Sequence, residues 1–355
     1  MKTIAKILIC YNSPVSIFSI YNGKPSDDNS VPNDLSESGF SKEIHKIKKY
    51  LLENFNEVNS FAINNNLERT INKLVSYSPD VIFNFVESID GVSSYEYCLA
   101  GLFEMLEFDF TGNIPASLGN CLNKARAKTI LRSFGINTPA SIIIKLEQSE
   151  KFDSGNFQLR FPVILKLLNE DASIGISELS VVNDFESLNN HLHFLKTTYR
   201  QDVLAEEYID GRELNIAVLG EKVLPISEIK FDGLPLGLPK IVTYDGKWIA
   251  DSIYYENTKP SCPAQLDSEL RNTIEETALL AFNAMDCRDY ARVDIRLNNK
   301  NIPFVIEVNP NPDISMDSGF ARAAAAVGIN YSNLLYIIAG FALARKNYDT
   351  KIKAG

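Results

Sequence analysis

Two acids near the C-terminal end of the chain, Asp294 and Glu307, have the types and spacing for chemistry. Residues 289–297 (DYARVDIRL) and 304–309 (FVIEVN) both alternate apolar with polar side chains, and turn-forming residues 298–301 lie between them, so a hairpin is expected. Strand periodicity puts Arg292 and Asp294 on one face of the first strand, and Glu307 and Asn309 on one face of the second. With the pairing centred between Lys300 and Asn301, Asp294 lies opposite Glu307 and Arg292 opposite Asn309. Facing carboxylates destabilise a sheet unless a cation lies between them. Two carboxylates with an amide oxygen are hard donors suited to magnesium, or manganese in its place. Magnesium in turn points to phosphates. The competing reading is a hydrated hairpin face on which Arg292 and Arg296 balance the acids.

Other residues point the same way. Lys166 ends the otherwise apolar run 161–166 (FPVILK), where a desolvated cation needs an anionic partner such as phosphate. The small residues of 169–175 (NEDASIG) let backbone N–H groups approach phosphate oxygens, although any hairpin turn can look similar. Residues 203–213 (VLAEEYIDGRE) read as a strand turning at Asp210-Gly211, with Glu206 and Glu213 on either side. There is no G-x-x-x-x-G-K-[ST] and no strand followed by G-x-G-x-x-G, so P-loop and Rossmann sites are excluded. No Ser or Cys stands in a nucleophile elbow, which removes hydrolase chemistry.

These groups require a scaffold. Strands at 6–11, 60–63 and 80–86 alternate with helices at 42–55 and 67–76, the order of a parallel α/β layer. Residues 22–39, rich in Ser, Asp, Asn, Pro and Gly, form a long connection, either an active-site flap or a disordered insertion. A helix at 117–134, strands at 141–144 and 162–168 and a helix at 184–198 describe a second unit. From 202 to 297 the pattern is mainly strands around a helix at 267–284, and helices at 318–327 and 331–346 finish the chain. His191 and His193, two apart on a helix, point to different sides and read as a solvated face rather than a metal pair.

At 355 residues and 45% apolar composition the chain can bury cores in two or three domains. A net charge of -10 with no basic stripe excludes nucleic acid as a partner. Five scattered cysteines without a C-x-x-C pair read as thiols in a reducing compartment, so a cytoplasmic protein is expected. The longest apolar run, 334–344, is far short of the roughly 20 residues of a membrane helix, so no membrane is expected.

Taken in order, Lys124, Lys166 with its small-residue loop, 206–213, Arg292-Val-Asp294 and Glu307-Val-Asn309 resemble the ATP-grasp fold, specifically the D-alanine–D-alanine ligase family. The motifs are DVIFNFVESIDG, FPVILKLLNEDASIG, LAEEYIDGRELNIAVLG, ARVDIRL and FVIEVNPNPDIS, and the similarity runs from 81 to 344. The resemblance implies an α/β (α+β) ATP-grasp architecture: an N-terminal parallel α/β domain (1–115), a central small α/β lobe (116–205) and a C-terminal antiparallel-sheet lobe with the metal site (206–350). It implies an ATP- and magnesium-dependent carboxylate–amine ligase that forms an amide bond between amino acids, or with a short peptide, through an acyl phosphate. Lys124, Lys166 and Ser173 would contact the phosphates, Glu206, Glu207 and the Ile209 backbone the adenine, and Glu213 the ribose. Asp294, Glu307 and Asn309 match the magnesium ligands and Arg292 the arginine steadying the tetrahedral oxyanion. Lys247 matches a lysine near phosphate and acceptor carboxylate, and Ser318 a carboxylate-binding serine. A homodimer is implied as well.

This sequence departs from the family's pattern at the substrate end. Segment 11–19 (YNSPVSIFS) has no acid where the family carries a glutamate for the first substrate's ammonium. Glu87, Ala172 and Trp248 replace a usual histidine, serine and tyrosine, so the loop-closure network is altered; Trp248 is a lid residue or an anchored aromatic. Asp313 replaces a usual glycine and either draws a cationic substrate group or caps a turn. Two alternatives stay open: a ligase of specialised peptide or metabolite synthesis with another substrate pair, and a nucleotide-binding regulator without turnover.

Overall fold

Ile7, Leu8, Ile9 and Cys10 are four consecutive buried residues in the first strand, β1 (Thr3–Asn12). A strand buried on both faces belongs in the middle of a sheet covered on each side. In the computed structural model, which describes residues 2–25, 34–148 and 151–353, β1 pairs in parallel with β2 (Phe55–Ile63) and β3 (Val81–Phe85) in the order β2-β1-β3. Ile7 and Ile9 enter one core with Ile47 and Leu51 of α1 (Leu35–Asn54). Leu8 and Cys10 enter another with Leu74 of α2 (Leu67–Tyr77) and Leu99 and Phe103 of α3 (Tyr95–Met105). Residues 26–33 of the expected flap lie outside the described residues, and α1 starts at Leu35, earlier than the expected 42. Helix α3 was not anticipated: Glu96, Leu99, Ala100 and Phe103 are all buried, and its mainly apolar run shows no clean amphipathic stripe.

The single helix expected at 117–134 is two, α4 (Pro115–Leu122) and α5 (Lys124–Ser133). Asn123 between them is extended (φ -84°, ψ 97°), and its side chain caps α5 by accepting the Arg126 N–H at 2.9 Å. The break places Lys124 in the first turn of α5. The antiparallel sheet β4-β7-β5-β6 follows, from β4 (Ser141–Ile144), β5 (Val163–Leu167), β6 (Val181–Val182) and β7 (Val203–Glu207). Helix α6 (Phe185–Tyr199) covers one face through Leu188, Leu192 and Leu195.

The third sheet runs β11-β10-β8-β12-β13, with β9 (Lys222–Val223) attached to β8 (Glu213–Leu219). Its other strands are β10 (Ser227–Lys230), β11 (Lys259–Ser261), β12 (Tyr290–Leu297) and β13 (Pro303–Asn309). Two short helices, α7 (Tyr244–Trp248) and α8 (Ile253–Asn257), stand where mainly strands were expected. Helix α9 (Ser268–Ala284) lays Ile274, Ala278 and Ala281 against one face, among Ile216, Val293 and Ile295. The last helices, α10 (Gly319–Ala325) and α11 (Tyr331–Lys353), return to the first sheet, where Phe320, Leu334, Leu335 and Ile338 join the core of Ile7 and Ile9. Each such side chain contributes about 1.5–3 kcal/mol by burial.

Candidate active site

The uncovered faces of the second and third sheets, with the start of α5 and the loop after β5, enclose a cavity of about 820 Å³. Every site residue expected from the sequence lines it. Period-two alternation explains the third sheet's share: Glu213 and Asn215 on β8, Arg292, Asp294 and Arg296 on β12, and Glu307 and Asn309 on β13 reach the cavity, while Ile216, Val293 and Ile295 face α9.

The hairpin pairs Asp294 with Glu307 and Arg292 with Asn309, the register expected at the functional positions. Toward the turn it shifts by one residue, because Ile295 pairs with Val305 and Ile306 is left in a bulge. The bulge has a use: the Ile306 carbonyl accepts the Lys128 ammonium at 3.2 Å. Arg292 grips Asp294 through two hydrogen bonds of 2.8 Å, and Asn215 and Asn309 donate to the same carboxylate at 2.7 and 2.9 Å. The hydrated-face reading therefore fails, since these side chains are partly buried and bonded to one another.

Opposite them stand the lysines of α5 and β5. Lys124 Nζ is 3.3 Å from Glu307 and 3.1 Å from Asp171 Oδ1, and it also donates to the Glu170 carbonyl. Burial works against the Lys124 charge, but Asp171 and Glu307 more than reverse this and raise its pKa. Burial likewise works against an ionised Glu307, and Lys124 and Lys166 overcome it, so its pKa is lowered. Lys166, on β5, donates to Glu206 on neighbouring β7, and Lys128 lies 2.8 Å from the other Glu206 oxygen. Against the opposing effect of burial, Lys128 and Lys166 hold the Glu206 carboxyl down at about 2. Lys247 is pushed below its ordinary pKa by burial first and by Arg292 second.

The small-residue loop bends through positive φ at Ala172 (53°), Ser173 (61°) and Gly175 (77°). The Trp248 indole N–H donates to the Ala172 carbonyl at 3.1 Å and Ser173 Oγ to the Val242 carbonyl at 3.0 Å, so Trp248 is bonded to the small-residue loop. The N-terminal segment straps the outside: Gly175 N–H donates to the Tyr21 carbonyl at 2.8 Å, Ser177 Oγ donates to the Gly23 carbonyl at 3.1 Å, and Lys24 pairs with Asp245 at 2.8 Å.

Some expected residues have other immediate partners. The Glu207 carboxylate is bound by exposed Arg160, at 2.9 Å from Nη2. Asp313 caps a turn by accepting the Ser315 N–H at 2.8 Å, and Ser318 caps α10 by accepting the Ala321 N–H at 3.2 Å. His191 is not on a solvated face: it is buried, stacked on Phe194 and 3.4 Å from Ser180 Oγ, and burial lowers its pKa to about 4. Sequence reasoning missed Lys128, Asp171 and Asn215. Lys128 was findable, since it follows Lys124 at i+4 on one helix face.

A cavity between two antiparallel sheets, with paired acids on one and Lys166 on the other beside Lys124 of α5, defines an ATP-grasp fold. The family model described as "D-ala D-ala ligase C-terminus" matches residues 130–339. The uncharacterized protein y4sG of Sinorhizobium fredii is 35% identical over 72% of either chain. The D-alanine–D-alanine ligase of Nitrosospira multiformis is 29% identical over 68% of this chain and 74% of its own. Among solved structures, the D-alanine–D-alanine ligase of Bacillus anthracis complexed with ATP superposes with a TM-score of 0.71 at 24% identity, over 97% of this chain and 100% of that one. The chain belongs to the D-alanine–D-alanine ligase family, and it is an ATP- and magnesium-dependent, amide-bond-forming ligase of that type.

Proposed function

We propose that this ligase joins the carboxylate of one amino acid or short peptide to the amine of a second, with the residues of the hairpin and the facing lysines in the roles their placement suggests. The observation that carries the reading is the pairing of Asp294 with Glu307 on the cavity face, with Lys124 within reach of Glu307.

The donor set suits magnesium. Among the described residues no three His, Cys, Asp or Glu side chains gather into a metal cluster. Magnesium is typically held by one or two carboxylates together with substrate phosphates and water, and Asp294, Glu307 and the Asn309 amide oxygen supply that set. When bound, the ion neutralises charge on the phosphates. Lys124, Lys166 and Ser173 would hold the phosphates, and Glu206 would keep Lys166 in place. Glu207 and the Ile209 backbone would border the base, and Glu213 the ribose. The substrate carboxylate oxygen attacks the γ-phosphorus and ADP leaves, giving an acyl phosphate. The second substrate's amine then attacks the acyl carbon, and phosphate leaves with loss of an amine proton. Arg292 would bind the oxyanion of that step, and Lys247 and Ser318 the acceptor carboxylate.

We assign the substrates to small amino acids or peptides. A pair other than two D-alanines is favoured by the substrate end, where Glu87 and Asp313 line the cavity and 11–19 has no acid. A domain division at 115 and 205, a homodimer and a cytoplasmic site of action complete the reading. The test is ADP release across a panel of D- and L-amino acids, with mass spectrometry of the products. Glu307→Gln should lower turnover by at least about a hundredfold while leaving the fold intact. Full turnover by that variant would refute the metal assignment, and ATP binding without ADP release on any panel member would leave a regulator as the better reading.

A further inference from the structure

Three oxygens crowd the Lys124 ammonium: it donates hydrogen bonds to the Glu170 carbonyl and to Asp171 Oδ1 at 3.1 Å, and Glu307 Oε1 lies 3.3 Å away. A phosphate oxygen can reach this ammonium only by taking the place of one of them. Glu307 is fixed in β13. The Glu170 carbonyl is backbone. Asp171 is the partner that can move, since its side chain is 49% exposed and the next two residues turn through positive φ. A nucleotide polyphosphate adds further negative charge beside Asp171 and Glu307, and repulsion falls on the mobile carboxylate.

We propose that Asp171 is an internal anion that occupies the phosphate lysine until the nucleotide displaces it, and that it thereby sets nucleotide affinity. The proposal rests on the reading of Lys124 as a phosphate contact. Asp171 belongs to the loop whose Ala172 carbonyl is held by Trp248, the chain's one tryptophan, so displacement of Asp171 should be visible in intrinsic fluorescence.

The experiment is titration of the full chain with magnesium-ADP, without amino acids, by calorimetry and by tryptophan fluorescence. Asp171→Asn removes the competing charge but keeps the side chain's size, and should tighten binding about tenfold, the effect of a hydrogen bond to a charged group. Lys124→Met should weaken binding. Unchanged or weaker binding by Asp171→Asn, with Lys124→Met still weakened, overturns the displacement proposal alone, weaker binding placing the carboxylate on the nucleotide's side of the balance. Unchanged binding by Lys124→Met overturns the site reading, and the proposal with it.

Discussion

Replacing Lys128 by Met tests whether the cavity's wall is held together by charge. Among the described residues Lys128 and Glu206 are the most deeply buried ion pair, with side chains 2% and 1% exposed and 2.8 Å apart. Removing one partner of a buried pair costs about 3–5 kcal/mol, because the other charge is left without compensation. Here Lys166 still holds one Glu206 oxygen, which places the expected loss near the lower limit, about 3 kcal/mol. Lys128→Met should also release the Ile306 carbonyl of the bulge, a further loss of about 1 kcal/mol. Urea denaturation followed by circular dichroism reads the sum as a shift in midpoint at unchanged slope. The double variant Lys128→Met/Glu206→Gln leaves no orphan carboxylate, although Lys166 keeps only a neutral partner there, so its loss should fall short of the sum of the single losses by about 1–3 kcal/mol. A loss under about 1 kcal/mol for Lys128→Met, or additive single losses, would refute the pair as a structural element.

Gly23 sits at φ 71°, and a Cβ there would lie 2.2 Å from the Gly175 carbonyl oxygen, so Gly23→Ala must move either the strap or the small-residue loop. It should cost about 1–2 kcal/mol and weaken nucleotide binding several-fold; a parental melting temperature and parental ADP affinity would show that the strap does not support the loop. His191 has a folded pKa of about 4, depressed by burial from 6.5, so the unfolded chain binds more protons between these values. Stability should therefore fall as pH drops from 6.5 toward 4, by about 1.4 kcal/mol per pH unit and about 3 kcal/mol in all. His191→Leu should flatten that part of the profile; an unaltered slope would assign it to other groups.

The parts of the site visible in the sequence were those governed by local periodicity. Alternation along β12 and β13 was enough to bring Asp294 opposite Glu307, because a two-residue repeat decides which face a strand residue takes. The bulge at Ile306 was hidden, since an extra residue in one strand leaves both apolar patterns readable while shifting the pairing near the turn. For Lys128 the i+4 spacing from Lys124 was a weak signal, because a lysine on a helix is usually solvated and only the contact with β7 makes it a buried partner of Glu206. Helix α3 lacked a clean stripe because its outward side carries Tyr95, Cys98, Leu102 and Met105, as apolar as the buried face of Leu99, Ala100 and Phe103.

The break at Asn123 connects the two kinds of information. A continuous helix over 117–134 would satisfy its backbone better than two short ones, yet Asn123 is a residue that caps as readily as it continues a helix. Its side chain takes the Arg126 N–H and also donates to Asn169 at 3.1 Å, at the entrance to the small-residue loop. The Lys124 N–H then meets the Leu168 carbonyl at 3.3 Å, so the start of α5 is bonded to the end of β5. One polar residue thus ends α4, starts α5 and ties the helix of Lys124 to the loop that carries Asp171. Long-range contact selected between two local conformations of nearly equal merit, and that choice aims Lys124 at Glu307.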